Sequence, residues 1–345
     1  MRAPRAVDVL IVSLGSTAGL RAADDELQDS LRRAGANVAI ARPTSPPETP
    51  TLMLTDLAWA RAARAVAGKM LSEMQRSPPG AIIYSSTTAA LLWSRPGAIR
   101  FDAPAAGNRP GRHGLWQRPL ERRRLRQAPL LLPWSAGGLA EAHEVARAGD
   151  RALVLPVPVE PSGPLEPVRD IAAITYVANP SKKGLDRVLS AWRRLRDGSA
   201  GRPDELLLAG ASEHELERAG FRTADERGVR VLGALAPVEY RALLRRARVF
   251  VCAPRREDYG IAQLEALADG CLLVTTPAPG PYAALPIALA LDPRLVSEDL
   301  ADALRVALDD PQRDYAERAR GALEPFSPAA VDRVVAERLL PRLLA

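Results

Sequence analysis

Short aliphatic runs alternate with longer helix-like segments along two stretches of this 345-residue sequence. Runs such as 9–12, 81–84 and 272–275 have the length and the aliphatic content of strands that are buried on both faces. Strands that alternate with helices form parallel sheets, because each crossover between parallel strands is long enough to hold a helix. The alternation therefore predicts an α/β protein with doubly wound parallel sheets.

A proline-rich segment separates the two stretches. Residues 156–167 contain five prolines and one glycine, which is the composition of a linker. We therefore expect two Rossmann-like domains, residues 1–160 and residues 168–325. Ligands of such domains bind at the carboxyl ends of the strands, so two domains on one linker would face each other across a binding cleft.

The composition is that of a globular protein, with 47% hydrophobic and 26% charged residues. Two cysteines, Cys252 and Cys271, are too few for a disulfide framework and indicate a reducing compartment. The apolar run 9–12 is too short for a signal peptide. The uncharged run from Gly270 to Leu291 has the length of a membrane span, but its four prolines favour strand, loop and strand instead. These features predict a cytoplasmic protein.

The net charge of +6 has a local origin. Residues 95–126 contain nine arginines, against Asp102 and Glu121 as the acidic residues. Such a segment suits an anionic partner, and its leucines and Trp116 would let it rest on an acidic membrane surface. A solvated helix face is the alternative. Nucleic acid is not expected, because only 4% of the residues are aromatic and bases stack on aromatic rings.

The strongest functional motif, in the second half of the chain, follows a predicted strand at the edge where ligands collect. Gly260 would start a helix whose free N–H groups, at Ile261 and Ala262, would bind an anion such as a diphosphate. Glu257 and Glu265 would flank that anion and face hydroxyl groups, which fits a sugar–diphosphate–ribose ligand. An ordinary capped amphipathic helix is the alternative.

A second candidate site is the loop Asn179–Asp186, after the first strand of the second domain. The chain has 44 arginines but three lysines, and two of these, Lys182 and Lys183, are adjacent in this loop. A lysine before a glycine can hold a phosphate as a compact point charge, although an exposed turn lysine has the same sequence. The loop Gly15–Gly19 also joins a strand to a helix, but it matches neither the dinucleotide fingerprint nor the P-loop.

The order of these motifs resembles glycosyltransferase family 4, the retaining nucleotide-sugar transferases of the GT-B fold. The resemblance covers nearly all of residues 170–290 and centres on a Glu-x7-Glu motif, Glu257 to Glu265, that continues to Glu-Ala-Leu-Ala-Asp-Gly. Its other parts are Ile174–Asp186, Leu206–Gly210, Val229–Gly233 and Ala247–Pro254. The first half is only loosely similar. The resemblance implies an acceptor-side first domain, a nucleotide-sugar-binding second domain, and a final helix, 326–345, that packs back toward the first domain.

The resemblance also implies a role for each matching residue. Glu257 would contact hydroxyls of the donor sugar, Glu265 would hold the ribose, and Lys183 would hold the diphosphate with the amides of the helix start. The donor-binding residues would be Gly15, Asn179, Lys183, Gly233, Glu257, Tyr259, Gly260, Ile261, Ala262 and Glu265. The acceptor-side residues would be Ser16, Asp102 and His113. The catalytic residues would be Glu257, Lys183 and Asp102.

Two positions depart from the family pattern. Asn179 stands where the family usually has an arginine, and Asp102 stands where it often has a histidine. A non-catalytic GT-B protein that binds sugar nucleotides or glycans is therefore the alternative to an enzyme. The sequence contains no Asp-x-Asp motif, so we expect no bound metal and no permanently bound cofactor.

The function implied by the resemblance is transfer of a hexose from a UDP- or GDP-sugar to an acceptor hydroxyl, with retention of the anomeric configuration. The partners would be this nucleotide-sugar donor and a glycan or lipid-linked acceptor, in bacterial cell-envelope glycan or glycolipid synthesis. Peripheral contact with the inner face of an anionic membrane, through residues 95–126, would place the protein beside a lipid-linked acceptor.

Overall fold

The computed structural model describes residues 6–44, 49–142, 150–197 and 205–345. The chain divides into two compact units, of which the first comprises residues 1–158 and 326–345 and the second residues 159–325. Each unit is built on a five-stranded parallel sheet with flanking helices. The α/β class predicted from the alternation of strands and helices is therefore confirmed.

The first unit has the strand order β2-β1-β3-β4-β5. Its strands are β1 (Val9–Val12), β2 (Val38–Ala41), β3 (Ala81–Tyr84), β4 (Ala98–Phe101) and β5 (Leu131–Pro133). Its helices before the second unit are α1 (Ala18–Arg33), α2 (Leu52–Glu73), α3 (Thr87–Leu91), α4 (Ala105–Asn108), α5 (Gln117–Gln127) and α6 (Ala136–Glu141), with a 3-10 turn at Gly111–Gly114.

The sheet of the first unit is buried on both faces. Side chains of a strand alternate between the faces, so Leu10 and Val12 join one apolar cluster while Val9 and Ile11 join the other. All pairings are parallel, and β1 pairs with both β2 and β3. The loops that follow β1, β3 and β4 therefore start at one edge of the sheet, where ligands of doubly wound folds bind.

The second unit has the strand order β10-β9-β6-β7-β8. Its strands are β6 (Ile171–Tyr176), β7 (Leu206–Ala209), β8 (Val229–Gly233), β9 (Ala247–Cys252) and β10 (Leu272–Thr275). Its helices are α7 (Leu185–Asp197), α8 (Glu213–Arg218), α9 (Pro237–Arg246), α10 (Ile261–Ala268), α11 (Ala284–Leu291), α12 (Leu300–Asp309) and α13 (Tyr315–Ala322). Because β6 pairs with both β7 and β9, the winding direction reverses between β6 and β9. In doubly wound folds, ligands bind at the carboxyl ends of the strands beside such a reversal.

The end of the chain packs on the first unit. It consists of α14 (Pro328–Val334), a π-helical segment (Val335–Leu339) and α15 (Leu340–Leu344). Val331 and Val335 join the apolar cluster of α1. Asp332 accepts hydrogen bonds from Ser30 Oγ at 2.5 Å and from Arg33 Nε at 2.7 Å. This mixture of apolar and ionic contacts fixes the final helices against α1.

One local prediction is wrong. The run from Gly270 to Leu291 contains β10 but ends in α11 rather than in a second strand. Pro286 is the third residue of α11, where a backbone N–H has no intrahelical acceptor. A proline in that position does not interrupt a helix.

A buried ion pair lies beneath the carboxyl edge of the first sheet. Arg100 Nη1 donates to Asp24 Oδ1 at 3.2 Å, and both side chains are 1% exposed. Ser13 Oγ donates to the other oxygen of Asp24 at 2.5 Å, and the guanidinium of Arg100 lies 4.9 Å from the ring centre of Trp134. Burial raises the pKa of Asp24, whereas Arg100 and the bond from Ser13 oppose that shift. This network ties α1 to the ends of β1 and β4.

We predict that Arg100→Met lowers the free energy of unfolding by about 3–5 kcal/mol, because it leaves a buried carboxylate without its countercharge. The double variant Arg100→Met/Asp24→Asn should recover a large part of that loss. Arg32→Met, which removes an exposed pair with Asp29, is the control and should cost about 1 kcal/mol or less. Urea unfolding followed by fluorescence measures all three, and equal losses for Arg100→Met and Arg32→Met would contradict the prediction.

Candidate active site

The loops that follow β6 and β9 meet through an ion pair. Lys183 Nζ donates to Glu257 Oε2 at 2.6 Å, and Glu257 is 5% exposed. The two loops come from the strands between which the winding direction reverses, so the pair lies at the edge where ligands bind. The structure therefore brings together two of the three residues that the sequence places in the catalytic set.

A second ion pair holds the same two loops. Lys182 Nζ donates to Asp258 Oδ2 at 2.8 Å, and Arg256 Nε donates to the other oxygen of Asp258 at 2.9 Å. These two cations hold the pKa of Asp258 below its usual value, although burial opposes them. Gly184 has φ +66°, and a Cβ there would overlap the carbonyl oxygen of Ala253. The close backbone approach therefore needs a glycine after Lys183.

The helix start beside Glu257 has unused hydrogen-bond donors. Gly260 precedes α10 with φ +93°, and it caps the helix without a side chain. No described residue accepts a hydrogen bond from the N–H of Ile261 or Ala262, which are the first residues of α10. The N–H groups and the helix dipole favour a negative charge at this point. The preceding Tyr259 is buried, and its carbonyl accepts from Ala283 N at 2.9 Å.

Glu265 lies further along α10, half-buried beside Arg241. The closest ionic contact is 3.7 Å, from Arg241 Nη1 to Glu265 Oε1, while Arg241 Nε bonds the buried Asp269 at 2.6 Å. Burial raises the pKa of Glu265, against the influence of Arg241. The rings of Tyr176 and Tyr240 lie 5.4 Å apart. Burial raises the pKa of both phenols, and the nearby Glu265 raises it further.

Two other donor-side candidates, Asn179 and Gly233, affect the backbone conformation at the ends of their strands. Asn179 Oδ1 accepts from Lys182 N at 3.1 Å, so its side chain shapes the loop that carries the two lysines. Gly233 ends β8 with φ +74°, and no atom lies within 4 Å of where a Cβ would be. Asn179 follows β6 and Gly233 is the last residue of β8, so both lie at the same edge of the second sheet as Glu257.

Gln263 is a site residue that sequence reasoning missed. Its Nε2 donates to Glu257 Oε2 at 3.0 Å, and the residue is 1% exposed. A glutamine between the apolar residues Ala262 and Leu264 was the available signal, because a buried amide needs a polar partner. The helix pattern alone could not identify that partner, because the position of Glu257 depends on how the preceding loop folds.

The acceptor-side candidates and the donor-side candidate Gly15 lie in the first unit. Gly15 and Ser16 follow β1, and Asp102 follows β4, so these three start from the same edge of the first sheet. Gly15 has φ +59°, and its carbonyl accepts from Arg21 Nη1 at 2.6 Å. His113 follows no strand and is exposed on the 3-10 turn.

A buried carboxylate supports the loop that carries Asp102. Both oxygens of Glu121 accept from Ala105 N, at 2.9 and 3.0 Å, so the side chain caps α4. Burial raises the pKa of Glu121 to about 7, although the bonds from Ala105 and Thr87 lower it. The charge of this carboxylate therefore changes near neutral pH.

The pKa of Glu121 predicts a pH dependence of stability. Its folded-state value of about 7 lies above the ordinary 4.5, so the folded protein binds the proton more tightly than the unfolded chain does. This contribution to stability is lost as the pH rises through about 7. Relative to Glu121→Gln, we expect the wild type to lose about 2 kcal/mol of unfolding free energy between pH 5 and pH 8. Urea unfolding at both pH values measures the difference, and a constant difference would contradict it.

Membrane spans and metal clusters are missing from the part of the chain that the structure describes. No helix within 6–44, 49–142, 150–197 and 205–345 is long and apolar enough to cross a membrane. Within these same ranges no three His, Cys, Asp or Glu side chains are grouped so that they could hold a metal ion.

The second unit matches a known enzyme family. Residues 170–310 match the model of the family described as Glycosyl transferases group 1. The match contains all five strands of the second sheet and the loops that carry Lys183 and Glu257. No curated protein matches the chain in sequence.

Solved structures share the fold. WaaG, a glycosyltransferase involved in lipopolysaccharide biosynthesis, is similar with a TM-score of 0.71 at 16% identity, over 96% of this chain and 100% of that one. HepE (Alr3699) of Anabaena, in complex with UDP-glucose, has a TM-score of 0.65 at 12% identity, over 96% and 99%. The UDP-forming α,α-trehalose-phosphate synthase of Burkholderia xenovorans, in complex with glucose-6-phosphate, has a TM-score of 0.64 at 15% identity, over 97% and 100%.

These comparisons establish the class of protein. The structural neighbours have the GT-B fold, so the predicted α/β GT-B class is confirmed. The match of residues 170–310 to the group 1 model, together with this fold, indicates a glycosyltransferase enzyme. The comparisons therefore favour an enzyme over a non-catalytic protein that binds sugar nucleotides or glycans.

Proposed function

We propose that this chain is a retaining glycosyltransferase of family 4, which transfers a hexose from a UDP- or GDP-sugar to an acceptor hydroxyl. The observation that carries the proposal is the contact of 2.6 Å between Lys183 and Glu257, beside the free N–H groups at the start of α10. It joins an ammonium group, a carboxylate and a helix dipole at one sheet edge. A nucleotide sugar needs all three, because it carries a diphosphate next to sugar hydroxyls.

The charges around this edge suit an anionic ligand. The cations Lys182, Lys183 and Arg256 are paired with two carboxylates, Glu257 and Asp258, which leaves one positive charge in excess. The N-terminus of α10 adds a partial positive charge. In our proposal the diphosphate binds there, Glu257 contacts the sugar hydroxyls, and Glu265 contacts the ribose.

The proposed reaction needs stabilisation of a leaving group more than a strong base. The bond between the anomeric carbon and the diphosphate oxygen breaks, and the acceptor oxygen bonds the anomeric carbon on the same face. The acceptor's proton passes to the departing phosphate oxygen, which leaves as a nucleoside diphosphate. Lys183 and the amides of α10 would stabilise the charge that develops on that oxygen, the effect that usually contributes most to such catalysis.

The nature of donor and acceptor is also a proposal. HepE was solved with UDP-glucose, which supports a UDP-sugar as the donor. WaaG acts in lipopolysaccharide biosynthesis, which supports a glycolipid or glycan acceptor of the cell envelope. We propose that the first unit binds this acceptor at the edge that carries Ser16 and Asp102, with His113 on the nearby turn of the same unit.

We predict that Lys183→Ala lowers kcat/KM about 100-fold to 1,000-fold, as expected for loss of a charged group that stabilises a leaving group. Lys182→Ala is the matched control: it removes an ion pair between the same two loops, and about fivefold or less is expected for a partly exposed pair. Release of nucleoside diphosphate from UDP- and GDP-hexoses measures both, and the melting shift with UDP, GDP and ADP measures binding.

A comparison of the two lysine variants distinguishes a catalytic role of Lys183 from a role limited to joining the two loops. Equal losses in the two lysine variants would mean that Lys183 acts only by joining the loops. A wild type that binds none of the three nucleoside diphosphates and releases none from the sugars would overturn the proposed function.

We also propose peripheral contact with the inner, cytoplasmic face of an anionic membrane, through the surface of the first unit. Leu115 is 63% exposed beside the 3-10 turn, which packs on α2, where Leu52 and Leu54 are also exposed. Arg109 joins these elements through a bidentate pair with Asp56, at 2.7 and 3.1 Å. Exposed leucines among arginines suit an acidic lipid surface.

The nine arginines of 95–126 do not all contribute to this surface. Arg100 is buried with Asp24, and Arg124 stacks 5.0 Å from the ring centre of Trp93 and donates to Leu91 O. The exposed members are Arg95, Arg112, Arg122, Arg123 and Arg126. The arginine-rich segment is therefore partly structural.

We predict that Arg122→Gln/Arg123→Gln weakens binding to phosphatidylglycerol vesicles at least about 10-fold, since each basic residue near such a surface contributes about 1 kcal/mol. Arg222→Gln/Arg227→Gln, which removes the same charge from exposed positions of the second unit, is the control. Co-sedimentation at low salt measures both. Failure of the wild type to sediment would remove the proposal of membrane contact.

A further inference from the structure

The carboxylate of Glu257 is held asymmetrically. Its Oε2 accepts from Lys183 Nζ at 2.6 Å and from Gln263 Nε2 at 3.0 Å. Among the described residues no group donates to the other oxygen, Oε1. One oxygen is therefore occupied by the protein, and the other is left for a ligand.

The orientation of the Gln263 amide is fixed by its surroundings. Its Nε2 faces both Glu257 Oε2 and Cys252 Sγ, the latter at 3.7 Å. A flipped amide would place its oxygen against the carboxylate, so the N–H must be the group that points to Glu257. Cys252 Sγ in turn donates a hydrogen bond to Thr275 Oγ1 at 3.3 Å, and Thr275 Oγ1 contacts Tyr282 OH at 3.1 Å. This buried polar cluster surrounds the amide nitrogen, whereas Gln263 Oε1 is buried without a hydrogen-bond partner among the described residues.

Lys183 and Gln263 differ in what a donor would do to them. Lys183 is charged and 22% exposed, so a diphosphate would compete with Glu257 for its ammonium group. Gln263 is neutral and 1% exposed, so a ligand cannot draw it away in the same manner. When the ammonium group turns to the diphosphate, the amide is the donor that stays on Glu257.

We propose that Gln263 is the positioning residue that keeps Glu257 Oε1 directed at the donor sugar while Lys183 binds the diphosphate. This inference rests on the proposed function. The inference assigns the diphosphate to Lys183 and the sugar to Glu257. Loss of Gln263 should therefore impair every step that depends on the sugar and spare the binding of a nucleoside diphosphate.

The test uses Gln263→Met, which has a similar length but no hydrogen bond, in the full chain. Melting shifts with UDP, GDP and ADP identify the base and should be the same in the variant and the wild type. Release of that nucleotide from its glucose, galactose, mannose and N-acetylglucosamine derivatives should fall about 10-fold to 100-fold, as for loss of a hydrogen bond to a charged group. Gln117→Met, at the other fully buried glutamine among the described residues, is the matched control and should keep wild-type activity.

Gln263→Glu adds a readout that a purely structural role would not change. A protonated carboxyl can donate to Glu257 as the amide does, whereas an ionised one repels it, and burial beside a like charge favours protonation. Activity relative to wild type should therefore rise several-fold between pH 8 and pH 6 in Gln263→Glu and stay flat in Gln263→Met. Of the titratable neighbours, Lys183 is common to both variants, and burial raises the pKa of Cys252 and of Tyr282, so both stay neutral in this range.

Each outcome bears on one proposal. If Gln263→Met binds the nucleoside diphosphate and turns over the sugars like the wild type, the role of Gln263 is wrong and the proposed function stands. If it loses nucleoside diphosphate binding as well, Gln263 supports the whole site rather than the sugar, and the inference is again overturned. If the wild type itself binds no nucleoside diphosphate, the proposed function falls first and the inference falls with it.

Discussion

The ion pair between Lys183 and Glu257 is the contact on which the candidate active site depends. It joins the loops after β6 and β9, which leave the sheet on either side of the reversal in winding direction. Such a reversal opens a crevice at the carboxyl ends of the strands. In this chain that edge carries paired charges, and Lys183 and Gln263 both donate to the buried carboxylate of Glu257 there. When an anion takes Lys183 as its partner, Gln263 is the donor that remains on Glu257.

Backbone geometry keeps these charges in place. Gly184 allows the loop after β6 to touch Ala253 of the loop after β9, which no side chain would permit. Arg255 N donates to Lys182 O at 3.0 Å, so the loops are joined by a main-chain bond as well as by two ion pairs. The ion pairs that Lys182 and Arg256 form with Asp258 do not involve Lys183. The contact that a ligand would exchange is therefore separate from the contact that holds the loops together.

The sequence predicted elements with strong local signals. The strand 272–275 has the predicted bounds, and α10 begins directly after Gly260 as predicted, because aliphatic content and a glycine at the helix start act within a few residues. The proximity of Lys183 and Glu257 followed from the rule that carboxyl ends of parallel strands share an edge. Gln263 and Arg100 were not predicted, because their roles depend on partners distant in the chain. A count of charges along 95–126 cannot show that Arg100 faces inward to Asp24.

The two units share an architecture but use charge differently at the ligand-binding edge. In the first unit two of the acidic groups near that edge are buried: Asp24 pairs with Arg100, and Glu121 caps α4. They hold the strand ends and loops in shape, and Ser16 remains exposed above them. In the second unit the charged groups lie in the loops themselves and are partly open, as Lys183 is. A fixed polar framework suits recognition of an uncharged hydroxyl, whereas exchangeable ion pairs suit a diphosphate, because only an anion can replace a carboxylate as the partner of an ammonium group.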